Sequence, residues 1–544
     1  MQGLMMDYQL TLPTLLERAE ALYSYREIVT RRPDKSLHRY TVGEFVQRTR
    51  RLAVALVDLG VRPGQRVGTL AWNHYQHLEA YLGIPAIGAV LHTLNLRLHA
   101  DDLAYIANHG GDRVILVDEV LLPLLEQIRD RLEAETIVVM SQVPEGESPP
   151  EIPSGMLDYE ELLAAADPDR YTPADLDENA AAAMCYTSGT TGKPKGVVYS
   201  HRSTMLHAMA IGMSDLVGVR ERTSYLPVVP MFHVNAWGTP FCCLMVGAKQ
   251  VFPGPHLDAA SLCDLFERER VTMTAGVPTI WMGILDHLDA NPDKYDLSCM
   301  EMMLVGGAAA PPKMIADFEQ RHGLHVVHAW GMTETSPLGT VSHVGPANDG
   351  ASEQERLALR AKQGRMVPLV EIRARADDAL VPWDGKSIGE LEVRGPWVAS
   401  AYYDSEQGTE AFTDDGWFRT GDVVSIDPQG YVCIVDRAKD LIKSGGEWIS
   451  SIALENALMG HPAIAEAAVI PVHHAKWIER PLAVIVPVEG KSVTLDEVRS
   501  FLQPHFASWW LPDAIEITDA IPRTSTGKFK KAVLRETYKN YRLE

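Results

Sequence analysis

Tyr186-Thr187-Ser188-Gly189-Thr190-Thr191-Gly192-Lys193-Pro194-Lys195-Gly196 sets three glycines, four Ser/Thr hydroxyls and two lysines into eleven positions. Glycines let a backbone approach an anion closely and aim successive N–H groups at it. Hydroxyls add donors, and lysines add charge-assisted ones. The apolar run Ala180 to Cys185 just before it predicts a strand that delivers the loop. By chemistry this is a phosphate-binding loop. It is not the Walker loop, which needs four residues between its first Gly and its Gly-Lys pair; Gly189 and Gly192 enclose two.

Outward from that loop, short β-rich runs alternate with amphipathic stretches. Arg113–Val117, Thr136–Met140, Val271–Thr274, Met302–Val305 and His325–His328 read as buried strands. Ala259–Glu269 and Pro312–Gln320 carry apolar residues three and four apart, a helical period. Such alternation predicts an α/β fold with layered, largely parallel sheets. From Gly389 to Ile434 short runs such as Leu391-Glu392-Val393 are punctuated by Gly, Pro and Asp, which predicts a β-rich subdomain. The polar stretch Asn348 to Lys362 reads as a surface excursion. Beyond Asp436–Asp440 lies a further small set of elements, Ala467–Ile470, Leu482–Val486 and a helix near Leu495–Leu502, enough for a compact α+β domain. The expected division is a large N-terminal domain over 1–437 and a small C-terminal domain over 438–544.

Composition bounds the partners. The 544 residues carry 50 Lys and Arg against 72 Asp and Glu, a net charge of −22. Broad nucleic-acid binding needs basic surface, so that class is excluded, and an anionic ligand has to be held by local devices. No uncharged apolar run approaches the ~20 residues of a membrane span, and no secretory pattern is evident at the amino terminus. Six cysteines with no CxxC pair, and histidines without HxxxH spacing, read as a reduced cytoplasmic chain lacking a zinc site. Peripheral membrane contact and a homodimer are compatible with this sequence.

Four later segments join the glycine loop in a resemblance. Trp330-Gly331-Met332-Thr333-Glu334, Gly416-Trp417-Phe418-Arg419-Thr420-Gly421-Asp422, Asp436-Arg437-Ala438-Lys439-Asp440-Leu441-Ile442-Lys443 and Pro522-Arg523-Thr524-Ser525-Thr526-Gly527-Lys528 follow it in order. Together they resemble the signature motifs of the adenylate-forming enzymes: acyl-CoA synthetases, aryl-CoA ligases, luciferases and adenylation domains. The resemblance covers nearly the whole chain. Pro230 to Gly238 and Lys443 to Ser451 make it most similar to bacterial medium- and long-chain fatty-acid CoA ligases.

The resemblance implies activation of a fatty acid by ATP to acyl-AMP and pyrophosphate, then transfer to coenzyme A. A short-chain, aryl or thioether acid, or a carrier protein as acceptor, are the alternatives. It assigns Thr187, Ser188, Gly189, Thr190, Thr191, Gly192, Lys193 and Lys195 to the ATP phosphates. Gly307, Ala308, Trp330, Gly331, Met332 and Thr333 are assigned to the rest of the nucleotide. Trp330 stands where the family usually has Tyr, keeping an aromatic face for adenine. Asp422 would accept the ribose hydroxyls, with Arg437 beside it. Glu334 and Thr187 would hold Mg²⁺, a hard cation suited to oxygen ligands. His233, Trp237, Val305, Gly306 and Gly307 would form the acyl site, and Lys443, Gly445, Gly446, Glu447 and Trp448 the passage for CoA. Lys528 would be the catalytic lysine, acting with Glu334, Thr187 and His233. Because Lys528 and the Gly445 loop share the small domain, that domain is expected to rotate about a hinge at Lys439.

Overall fold

A computed structural model describes residues 1, 3–144, 146–187, 193–377, 379–406, 408–445, 447–523 and 529–543. A seven-stranded sheet runs in spatial order Leu157–Asp158, Thr136–Met140, Asp112–Asp118, Arg66–Leu70, Val90–Thr93, Ala181–Tyr186 and Gly196–Ser200. Its neighbours are parallel except the last pair, which is antiparallel. A nine-stranded sheet has the parallel centre Val326–Gly331, Met302–Val305, Met273–Gly276, Ser224–Pro227, Lys249–Phe252 and Glu27–Arg31.

Side-chain alternation splits the apolar residues among layers. In Asp112–Asp118, Val114 and Leu116 enter one core while Ile115 and Val117 enter another. The first core lies between the two sheets and takes Phe45, Tyr81 and Phe241 from helices Val42–Asp58, Tyr75–Ala86 and Thr239–Val246. Helix Tyr75–Ala86 is buried at all its positions, as expected of a helix covered on both sides. Helix Val42–Asp58 begins at a capping box, with the Thr41 hydroxyl accepting from the Glu44 N–H and the Glu44 carboxylate accepting from the Thr41 N–H. The outer helices Ala259–Arg268, Pro278–Ala290 and Pro312–His322 cover the far face of the nine-stranded sheet. Layered α/β architecture is therefore the observed fold.

Two elements differ from the sequence expectation. The β-rich sheet starts at Glu371, not Gly389: Glu371–Ala376 pairs with Gly389–Arg394, followed by Phe418–Ile426 and Val432–Arg437. Ile372 and Ala374 face its core between arginines, a pattern that reads as polar. The strand expected over Val271–Thr274 runs Met273–Gly276. Val271 instead donates its N–H to Phe266 O and packs on that ring's core, closing the preceding helix.

A small C-terminal domain carries its own sheet of Ile442–Ser444, Glu447–Ile449, Ile464–His474, Ile478–Pro487 and Ala514–Ile517. Helices Ser451–Leu458 and Leu495–Leu502 cover one face, and Lys531–Thr537 covers the other.

Candidate active site

A single cleft of about 980 Å³ lies where the large domain, the β-rich sheet and the small domain meet. Its polar part is lined by Thr187, Lys193, Lys195, Thr333, Glu334, Tyr402, Thr420, Arg437, Lys439, Lys530 and Arg535. Its apolar part is lined by Ile211, Val217, Trp237, Leu304, Pro337 and Leu338.

The glycine loop is the connection of a β-hairpin, between the antiparallel strands Ala181–Tyr186 and Gly196–Ser200. The Thr187 N–H donates to Lys195 O (2.9 Å), and the Lys195 N–H donates to the Thr187 hydroxyl (3.3 Å). These bonds fix the loop's two ends. Ser188, Gly189, Thr190, Thr191 and Gly192 lie outside the described residues. Among the described residues the next helix, His201–Ile211, starts only after the second strand. Any phosphate held here relies on the loop's own donors and cations.

Lys195 rests its ammonium 4.8 Å from the centre of the Tyr402 ring, and Lys193 sits 4.7 Å over Tyr105. The Tyr402 hydroxyl donates to Glu334 Oε1 at 2.7 Å. Burial and the Glu334 carboxylate push the Tyr402 phenol above its ordinary value, so it remains a donor. The Glu334 main chain is held too: its carbonyl accepts from the Ala399 N–H at 2.7 Å. Tyr402 thus joins a phosphate-loop lysine to the expected metal carboxylate. Nothing in the Ser-Ala-Tyr-Tyr-Asp run signals that role, because it arises from two segments far apart in the chain. Among the described residues no group of three His, Cys, Asp or Glu side chains could hold a metal alone. Glu334 and Thr187 offer hard oxygens facing the cleft, which fits a Mg²⁺ that arrives with phosphate oxygens as further ligands.

Gly307, Gly331, Met332 and Thr333 also line the cleft, whereas Ala308 is exposed away from it. Thr333 O accepts from the Tyr199 hydroxyl at 2.8 Å. Asp422 is buried and absent from the cleft lining, although Thr420 and Gly421 before it line the cleft. Its Oδ1 accepts from Arg437 Nε (2.8 Å) and its Oδ2 from Trp330 Nε1 (2.9 Å).

His233 and Trp237 flank a left-handed turn. Val234, Asn235, Ala236 and Trp237 have φ of 46°, 50°, 48° and 59°, and Gly238 closes the turn at 72°. Cβ–carbonyl crowding makes such runs rare for L-residues, and strain of this kind gathers at functional sites. Trp237 crosses over Gly306, where an added Cβ would sit 3.0 Å from the indole and 3.1 Å from Ala329 O. Only glycine leaves the ring in place. Opposite, Leu338 is fixed through its main chain. Its N–H donates to His207 Nε2 (3.2 Å), and its carbonyl accepts from Trp397 Nε1 (2.9 Å). Burial pushes His207 down to about 3, so the neutral ring can accept. Val305, expected in the acyl site, faces the outer core and is absent from the cleft lining. Period-2 alternation turns it away while Leu304 and Gly306 face the cleft.

The small domain presents Phe529, Lys530, Lys531, Ala532 and Arg535 to the cleft. Lys528 itself lies outside the described residues. Lys443, Gly445, Glu447 and Trp448 are exposed and do not line the cleft; Lys443 instead sits 4.9 Å over the Trp448 ring. Gly446 lies outside the described residues. The arrangement brings together the positions expected for the nucleotide and the acyl group and leaves apart the hairpin expected for CoA.

Between the β-rich sheet and the small domain runs a buried polar chain. Asp436 accepts from the Ser451 N–H (2.6 Å), and Lys531 Nζ donates to Ser451 Oγ and to Glu455 (2.7 Å each). Burial pushes Glu455 up to about 7, although Lys531 draws it down. Burial also opposes charge on Lys531, but the Glu455 and Asp436 carboxylates outweigh it and raise its pKa. Beside this chain, Lys439 faces the cleft with its pKa lowered by burial, and Arg535 pairs with Asp440.

Residues 16–403 match the family described as AMP-binding enzyme, and 453–528 match the AMP-binding enzyme C-terminal domain. A long-chain-fatty-acid–CoA ligase of Thermus thermophilus is 50% identical over 541 residues, 99% of this chain and 97% of that one. A 3-methylmercaptopropionyl-CoA ligase of Ruegeria lacuscaerulensis is 44% identical over 542 residues, 99% of each. Among solved structures, an anthranilate CoA ligase in complex with anthranoyl-AMP superposes with a TM-score of 0.85 at 25% identity, covering 98% of both chains.

Proposed function

From the premise that the chain belongs to the AMP-binding enzyme family, we propose that it is an AMP-forming acid–thiol ligase converting a fatty acid to its CoA thioester. A carboxylate is a poor acyl donor because oxide would have to leave. In the first step a carboxylate oxygen attacks the α-phosphorus of ATP, the bond to pyrophosphate breaks, and acyl-AMP forms. In the second, the CoA thiol attacks the acyl carbonyl, losing its proton, and AMP leaves.

The observation that carries this reading is one cavity with a cationic, hydroxyl-rich end and an apolar end. Two anions must meet in the first step, so cations and N–H donors supply most of the stabilisation. Lys193, Lys195 and Thr187 face the phosphates, and Asp422 and Arg437 face the ribose. His233 stands where the carboxylate enters, and Trp237 bounds the apolar passage with Leu338 opposite. Glu334 and Thr187 would hold Mg²⁺, which would neutralise phosphate charge. Lys528 serves the adenylation step. The small domain, from about residue 438, turns at Lys439 to bring Lys443, Gly445, Gly446, Glu447 and Trp448 to CoA.

Among the described residues no helix is long and apolar enough to cross a membrane. We assign the enzyme to the cytoplasm, where ATP and CoA are at hand.

Pyrophosphate release measured from acetate to stearate, with benzoate and a thioether acid included, tests the substrate class. Highest kcat/KM for medium or long chains is expected. A peak at the thioether or aryl acid would favour the second reading, which the 44% identity to a 3-methylmercaptopropionyl-CoA ligase supports.

A further inference from the structure

Trp330 lines the cleft but leaves little of its ring exposed. It is 7% exposed, and its six-membered ring lies on Gly339, where an added Cβ would come within 2.4 Å of Cζ3. Its one polar atom is spent on Asp422: Nε1–H donates to Oδ2 at 2.9 Å, while Arg437 Nε donates to Oδ1 at 2.8 Å. The Asp422 side chain is 3% exposed. An ionised carboxylate offers about four acceptor positions. With one donor fixed on each oxygen, about one position per oxygen remains, and its direction is set by the two protein donors.

We propose that Trp330 is the positioning residue of the ribose site, its indole N–H fixing the Asp422 carboxylate in the orientation that meets the ribose hydroxyls. This rests on the ribose role proposed for Asp422. It differs from a stacking role because the indole acts through Asp422, by a charge-assisted bond, and so bears on the sugar more than on the base. A phenylalanine would keep an aromatic ring at the position and remove the donor, together with part of the indole's packing on Gly339.

The test is ATP–pyrophosphate exchange with ATP and with 2′-deoxyATP as alternative substrates. Wild type should prefer ATP, and Asp422→Asn should lose most of that preference. Trp330→Phe should lower the ATP over 2′-deoxyATP ratio of kcat/KM about tenfold, the loss typical of a hydrogen bond to a charged group, mainly by raising KM for ATP. A circular-dichroism spectrum and melting temperature close to those of wild type report that the variant is folded. A second variant, Gly339→Ala, displaces the indole while leaving every hydrogen-bonding group present, and should lower the same ratio. If Asp422→Asn lowers the ratio and folded Trp330→Phe and Gly339→Ala do not, the proposal is overturned and the ribose reading stands. If no variant changes it, the ribose reading itself has failed and takes the proposal with it.

Discussion

Tyr402→Phe isolates one bond at the Glu334 end of the cleft. The substitution keeps the ring under the Lys195 ammonium and the contact with Phe412, whose ring centre lies 5.4 Å away. It deletes only the hydroxyl that donates to Glu334 Oε1 at 2.7 Å. A hydrogen bond to a charged group contributes about 1.5–3 kcal/mol. A water replacing the hydroxyl would recover part of that, so the lower end applies, about 1.5 kcal/mol or roughly tenfold. Because Glu334 is proposed to orient Mg²⁺, the loss should fall on adenylation. ATP–pyrophosphate exchange, followed against Mg²⁺ at saturating fatty acid, should show kcat/KM for ATP reduced about tenfold and half-saturation moved to higher Mg²⁺. Thioester formation from supplied acyl-AMP and CoA should stay within about twofold, since Glu334 has finished its work by then. The reasoning fails if exchange and its Mg²⁺ dependence match wild type, or if both half-reactions fall together.

Gly306→Ala should cost about 1–3 kcal/mol by overpacking, and it should push the Trp237 indole into the apolar passage. The preferred acid should shorten in the same chain-length panel; an unchanged profile would separate Trp237 from the acyl path. Glu455→Gln bears on pH. The folded carboxyl titrates at about 7, above its ordinary 4.5, so the folded state holds the extra proton between those values. Its contribution to stability is full below 4.5 and is lost as pH rises through about 7. Denaturant titrations across that window should show a downward slope in wild type that is smaller in the variant, and equal slopes would refute the assignment. Lys528→Ala should abolish acyl-AMP formation and largely spare thioester formation from supplied acyl-AMP. Lys439→Pro, with φ fixed, should reverse that ranking. Rapid-quench measurement of both half-reactions decides the pair.

Local chemistry was readable wherever one short run carries it. Thr187 to Lys195 suggests an anion by composition, and the roles expected of Trp330 to Glu334 and of Gly416 to Asp422 rest on resemblance. What stayed hidden depends on segments that meet only after folding. The apolar wall draws Ile211, Val217, Trp237, Leu304 and Leu338 from five places in the chain. Tyr402 acquires meaning only from Glu334, 68 positions away. The pairing of Ala181–Tyr186 with Gly196–Ser200, which makes the glycine loop a hairpin tip, follows from register and not from periodicity. Reading Val305 as a site residue failed for the opposite reason. Its neighbours Gly306 and Gly307 line the cleft, but a strand presents alternate residues, and the resemblance carried the whole segment. The strand Glu371–Ala376 escaped because its inward residues, Ile372 and Ala374, are outnumbered by charged ones facing out.

The backwards-wound turn that presents His233 and Trp237 has a consequence for how much stability this chain can spare. Each L-residue in that conformation forgoes about 1–2 kcal/mol. Four in succession withhold a sum comparable with a good part of the 5–15 kcal/mol that separates a typical folded domain from its unfolded chain. Ala236→Gly would return some of it, since glycine has no Cβ to crowd the carbonyl. A search for heat-tolerant variants would therefore be drawn to the segment that aims the indole, and would gain melting temperature there by letting the aim drift.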